Sequence, residues 1–92
     1  MPLVDRHREL RRRALALIDA ELEHLRSLGP ERLRDLAPGS PLEDERDEVL
    51  VTTRLNPEGD RVLVLVEASR GSRILATKGF AMEPDGTTHT PD

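Results

Sequence analysis

The spacing of apolar residues changes once along this chain, and that change constrains the fold more than any other feature. Up to residue 28 they recur every three or four positions, as on one side of an amphipathic helix. From Val49 onward they alternate, as on the two faces of a β-strand. At 92 residues the chain has room for one domain. We therefore predict a single α+β domain in which one long N-terminal helix packs on a three- to four-stranded antiparallel β-meander.

The first predicted element is a helix over residues 5–28. Gly29 suits the position after a helix and Pro30 cannot continue one, so the helix should end there. Pro30 is also favourable at a first helical position, and we predict a short helix or turn over residues 30–37. The apolar stripe of the long helix has seven members: Leu3, Leu10, Ala14, Ile18, Leu22, Leu25 and Leu28.

A break in regular structure follows at residues 38–41, which read Pro-Gly-Ser-Pro. Residues 43–48 then carry five acids and one base. Runs of this composition are typical of solvated, irregular chain. We therefore predict an acidic linker over residues 38–48.

Alternating apolar residues predict strands over residues 49–55, 61–68 and 73–82, with a possible fourth over 87–90. Residues 56–59 and 83–86 each place Pro second and Gly fourth, which is typical of type I turns. Five consecutive apolar residues, 62–66, indicate a central strand covered on both faces. We expect the core to contain Ile18, Leu22, Leu25, Val62, Val64 and Val66.

The inventory of reactive residues argues against an enzyme. The chain has no cysteine, which removes disulfides, thiolate nucleophiles and zinc–thiolate sites. Glu21 and His24 have the Glu-x-x-His spacing of di-iron bundles, but those sites need the motif twice. The sequence contains neither a nucleophile elbow nor a phosphate-binding glycine loop. We predict no catalytic residues, no metal and no cofactor.

The longest apolar runs are five residues, whereas a membrane-spanning helix needs about 20. We expect a soluble, cytoplasmic protein without a membrane partner. Thirteen of the 14 basic residues are arginine, a skew typical of GC-rich genomes, and we expect a bacterial source.

The one basic cluster lies in the first helix, over Arg6–Arg13. Its five arginines could contact nucleic-acid phosphates. They spread over roughly 220° of the helical wheel, however, and no aromatic residue lies nearby to stack on bases. The chain as a whole carries a net charge of −4. Nucleic-acid binding therefore stays an alternative that we do not favour.

The order of charges along this helix is unusual, because the helix dipole favours acids at the N-terminal end and bases at the C-terminal end. Two antiparallel copies would set each basic half against an acidic half, with Leu15, Ala16 and Leu17 between them. A dimer through a sheet edge, at strand 49–55 or the C-terminal strand, is nearly as well supported. The candidate interaction surface comprises Arg6, Arg8, Arg12, Arg13, Asp19 and Glu23.

These observations predict a small non-enzymatic module for protein–protein interaction or self-association. Its partner would be another protein or a second copy of the chain. The alternatives are a small-ligand binder or enzyme that uses the concavity between helix and sheet, and nucleic-acid binding through Arg6–Arg13.

Overall fold

The computed structural model describes residues 3–90, with side chains from Arg8 onward. Helix α1 (Leu3–Leu36) and a 3₁₀ turn (Ala37–Gly39) precede five strands: β1 (Leu42–Arg46), β2 (Val49–Glu58), β3 (Arg61–Arg70), β4 (Arg73–Met82) and β5 (Thr88–His89). The strands form one antiparallel sheet in chain order. The predicted α+β arrangement of a helix on an antiparallel meander is therefore confirmed, with one strand more than expected.

Helix α1 has a break at Gly29, whose φ and ψ of 84° and 166° lie outside the helical region. The break falls where the sequence predicts the long helix to end, and Pro30 begins the shorter helical segment after it. The buried side chains of α1 lie on both sides of the break: Ala14, Ile18, Leu22, Leu25 and Leu33. Both segments therefore belong to one core.

The core lies between α1 and one face of the sheet, the inner face. Val62, Val64 and Val66 of β3 occupy its centre, and Phe80 and Met82 of β4 lie beside them. All six residues predicted for the core are buried. Full burial of side chains of this size contributes about 1.5–3 kcal/mol each, so the packing of helix on sheet stabilises the domain.

The predicted acidic linker over residues 38–48 is wrong, because it contains β1. This strand pairs antiparallel with β2, from Leu42 opposite Thr53 to Arg46 opposite Val49. All five of its residues are exposed. Edge strands are commonly charged because charge discourages pairing with other chains. A charged edge strand and a solvated linker therefore have the same composition, and only pairing with β2 distinguishes them.

The type I turn predicted at residues 56–59 is also wrong. Glu58 pairs with Arg61, so the chain reverses through Gly59 and Asp60, and Gly59 has the positive φ (62°) that a primed hairpin turn requires. Pro57 lies within β2, opposite Val62. The backbone N–H of Leu55 donates to Ser40 Oγ at 3.2 Å and therefore points away from β3. The backbone N–H position of every second residue from Leu55 points the same way. Pro57, two residues on, therefore removes no hydrogen bond between β2 and β3.

The turn at residues 83–86 has the predicted chemistry. Its closing hydrogen bond runs from Gly86 N–H to the Glu83 carbonyl at 2.9 Å. The hydroxyl and the backbone N–H of Thr87 donate to Asp85 Oδ1 and lower the pKa of the Asp85 carboxyl. The turn leads into β5, which pairs with the end of β4.

Replacing Leu22 by Ala should lower the free energy of unfolding by about 2–5 kcal/mol, because the lost side chain leaves a cavity between helix and sheet. Urea denaturation measures this change. Leu42→Ala removes the same atoms from a side chain that is 37% exposed and should cost under about 1 kcal/mol. Equal losses in the two variants would contradict the packing.

The β1–β2 turn should be open to stabilisation. Asp47 and Glu48 both have positive φ, 50° and 69°, a conformation that costs an L-residue roughly 1–2 kcal/mol. Asp47→Asn with Glu48→Gly supplies the residues preferred there and should raise the free energy of unfolding by about 1 kcal/mol. Asp60→Gly, at a position without positive φ, should give no gain, and a comparable gain there would refute the explanation.

Candidate functional site

The face of the sheet opposite α1, here called the outer face, carries apolar side chains exposed to solvent. Leu65, near the middle of β3, is 41% exposed, and Ile74 at the start of β4 is 61% exposed. Leu50 and Leu63 on the same face are half-buried. The apolar run 62–66 thus divides its side chains between the core and the outer face. The sequence predicts that the central strand is covered on both faces. Within the described residues only α1 covers the sheet, so this prediction is wrong for a single copy of the chain.

Charged residues border this apolar centre. Two ion pairs lie on the outer face, Arg54–Glu67 at 3.9 Å and Arg61–Glu58 at 2.9 Å, and His89 Nε2 is hydrogen-bonded with Glu83 at 2.6 Å. The hydrogen bond to Glu58 raises the pKa of the Arg61 guanidinium. The excess charge is negative, because Glu43 and Glu45 of β1 also lie on this face and have no ion pair in the described part of the chain.

Gly79 of β4 lies opposite Leu65 and leaves space for it. A Cβ atom at Gly79 would collide with the backbone carbonyl oxygen of Val64 and would lie 3.4 Å from Leu65 Cδ1. The absence of a side chain at this position lets β3 and β4 approach, and Leu65 keeps its place on the outer face.

The first turns of α1 extend beyond the sheet. Arg8, Arg11, Arg12 and Arg13 are exposed, Leu10 is half-buried, and Ala14 is the first buried residue after them. The ten-residue strands span about 33 Å, whereas the whole molecule is 49 Å long. We call residues 8–13 the helix end. It passes the β1–β2 turn, where Glu9, Leu10, Arg13 and Glu48 line a shallow hollow.

The residues predicted as an interaction surface are not brought together as one patch. Asp19 accepts a hydrogen bond from Lys78 Nζ of β4 at 2.9 Å and is therefore paired within the chain. Glu23 is exposed, as are Arg8, Arg12 and Arg13, while the side chain of Arg6 lies outside the described part.

The apolar centre proposed for a helix-to-helix dimer is also dispersed. Leu15 and Leu17 are partly buried and lie about 160° apart around the helix, with exposed Ala16 on the outward side between them. The antiparallel helix pair stays a prediction, without a continuous apolar surface on α1. A dimer through strand 49–55 is ruled out, because β2 is paired on both sides.

The concavity between helix and sheet is filled by the core side chains. A shallow hollow remains at its β1 margin, lined by residues that include Glu21, His24 and Asp44. Among residues 8–90, no three His, Asp or Glu side chains are grouped as a metal site requires. A second open hollow lies at the far end of α1, lined by Pro30, Glu31, Arg34, Asp60 and Pro84. A ligand-binding concavity would have to use open, charged hollows such as these.

Nucleic-acid binding would lack an aromatic platform. Phe80, the single aromatic residue, is buried, and the Arg26 guanidinium lies 5.0 Å from its ring centre. The exposed arginines of the helix end are the remaining basic group that phosphates could contact.

No protein-family model, curated protein or solved structure matches this chain. None of the helices in the described residues is both long and apolar enough to cross a bilayer.

Sequence reasoning missed the outer face, although its signal was present. Residues 62–66 are apolar at every position, so a strand in a two-layer fold must expose half of them. The sequence pattern identified the strand but not what would cover its second face.

Gly79→Ala should lower the free energy of unfolding by about 1–3 kcal/mol, because the added methyl group forces β3 and β4 apart. Chemical denaturation measures the loss. Gly39→Ala, where an added Cβ meets no atom within 4 Å, is the matched control and should change stability little. A neutral Gly79→Ala would show that the strands can separate without cost.

Proposed function

We propose that this chain is a non-enzymatic, cytoplasmic protein-interaction module whose binding surface is the outer face of its sheet. The observation that carries the proposal is Leu65, a leucine near the middle of the central strand that is 41% exposed. Antiparallel sheets that face water on one side normally alternate apolar and polar residues. Here β3 alternates Val with Leu, so both faces are apolar.

The border of the outer face supports the same function. An apolar centre with a charged rim is the usual anatomy of a protein interface, where the rim contributes orientation and the centre contributes binding energy. The excess of carboxylates, with Glu43 and Glu45 unpaired among the described residues, favours a partner with basic side chains.

A photo-crosslinking residue placed at Leu65 tests the surface directly. In lysate of the source organism, Leu65→benzoylphenylalanine should give a discrete crosslinked product, because the partner covers this position. Gel electrophoresis and mass spectrometry identify the product and its size.

The same substitution at Ala16, on the outward side of α1, is the control and should give no discrete product. Crosslinks of equal yield at both positions, or none at Leu65, would contradict the proposal. A product of twice the monomer mass would identify a second copy as the partner, and any other mass a different protein.

A further inference from the structure

We propose that the occupant of the outer face is the helix end of a second copy, exchanged reciprocally in a two-fold dimer. This inference rests on the proposed function and names its partner. Among the described residues, the helix end has only the β1–β2 turn beside it, and the apolar outer face has no helix over it. Docking one on the other would place Leu10 and the arginines around it over the apolar and acidic residues of that face.

The two surfaces are complementary in charge. The helix end carries four arginines and one glutamate, of which Arg13 and Glu9 form an ion pair. The region of the outer face nearest the β1–β2 turn contains Glu43 and Glu45, together with Glu67, which is paired with Arg54. This region also holds Ile74, the most exposed large apolar residue, and half-buried Leu50, which pairs with Glu45 across β1 and β2. Opposite charges around an apolar centre favour docking and fix its orientation.

The geometry permits both copies to dock at once. Helix end and β1–β2 turn lie at the same end of the sheet. Consider a two-fold axis that lies in the plane of the sheet, perpendicular to the strands, at this end of the sheet. Rotation about it places the two sheets end to end, with the outer face of one copy on the same side as the inner face of the other. Each helix then continues over the outer face of the neighbouring sheet. The projecting turns, residues 3–13, are about 16 Å long and would cover roughly half of a ten-residue strand.

Other contacts between copies are less favourable. Antiparallel pairing of two β1 edges would place Asp44 opposite its own copy and Glu43 opposite Glu45, which repels. Two outer faces packed against each other would bring two acidic surfaces together. At the other edge, β5 pairs only with Ala81 and Met82, so β4 is open over residues 73–80. This open edge carries Arg73 and Lys78, and charges of this kind discourage pairing between edges. The helix end is the densest group of basic residues in the described chain.

Helical geometry indicates which arginines should make the contact. The buried stripe of α1 is centred about 60° around the helix from Leu10, as the positions of Ala14, Ile18 and Leu25 show. Arg11 lies about 40° and Arg8 about 100° from this centre, whereas Arg13 and Arg12 lie about 120° and 140° from it and point away from a sheet. The pair Arg12 and Arg13 is therefore a control with the same change in charge.

Sedimentation velocity between 1 and 200 µM tests the dimer in four variants of the full chain, with circular dichroism to verify folding. Wild type should reach twice the monomer mass. Arg8→Glu/Arg11→Glu and Glu43→Arg/Glu45→Arg should each weaken self-association at least tenfold, and Ile74→Thr should also weaken it. Arg12→Glu/Arg13→Glu should change it less than threefold.

Mixing the two charge-reversed variants is the decisive measurement. Each variant alone opposes like charges, but in the mixture both contacts pair opposite charges, so a dimer containing one copy of each should form with wild-type affinity. No recovery in the mixture, or equal weakening by Arg12→Glu/Arg13→Glu, would overturn the inference, as would a mass above the dimer. A wild type that stays monomeric at 200 µM overturns it as well. A crosslink from Leu65 to a different protein would in that case leave the proposed function standing.

Discussion

The structure depends on the packing of one helix against one face of β3. Ile18, Leu22 and Leu25 lie over the valines of the central strand, and β2 and β4 complete the surface beneath them. The helix is longer than this surface and the sheet has a second face, so a single layer of packing leaves a basic helix end and an apolar outer face exposed. Both the helix end and the outer face follow from that mismatch.

The outer face differs from the rest of the surface because its central strand does not alternate apolar with polar residues. In a two-layer fold, alternation decides which side chains meet water. Leu63 and Leu65 depart from that rule, and Gly79 makes room for Leu65 where any other residue would collide with Val64. Gly79 contributes no side-chain packing to β4, and its presence keeps Leu65 on an apolar surface. That surface is the physical basis for the proposed binding role.

Charge is arranged so that the apolar surfaces have few competing ways to associate. The β1 edge is acidic and repels its own copy, and the opposite edge, where β5 leaves residues 73–80 of β4 unpaired, carries Arg73 and Lys78. Asp19 and Lys78 are paired between α1 and β4, which removes one acid from the outward side of the helix. Among the described side chains, no ion pair joins the arginines of the helix end to the acids near the β1–β2 turn, although Arg13 is paired with Glu9 and Glu48 with Arg70.

The sequence by itself determined the long helix, its break at Gly29, the alternating strands and the six core residues, because these follow from local spacing and backbone chemistry. It could not determine β1, whose charged residues pair through backbone groups common to every sequence. It misplaced the first hairpin turn because the register of β2 against β3 depends on pairing along the whole strand. The candidate site also depended on the tertiary structure. Leu65 faces water and Asp19 pairs with Lys78 because the helix covers one face of the sheet and leaves the other open.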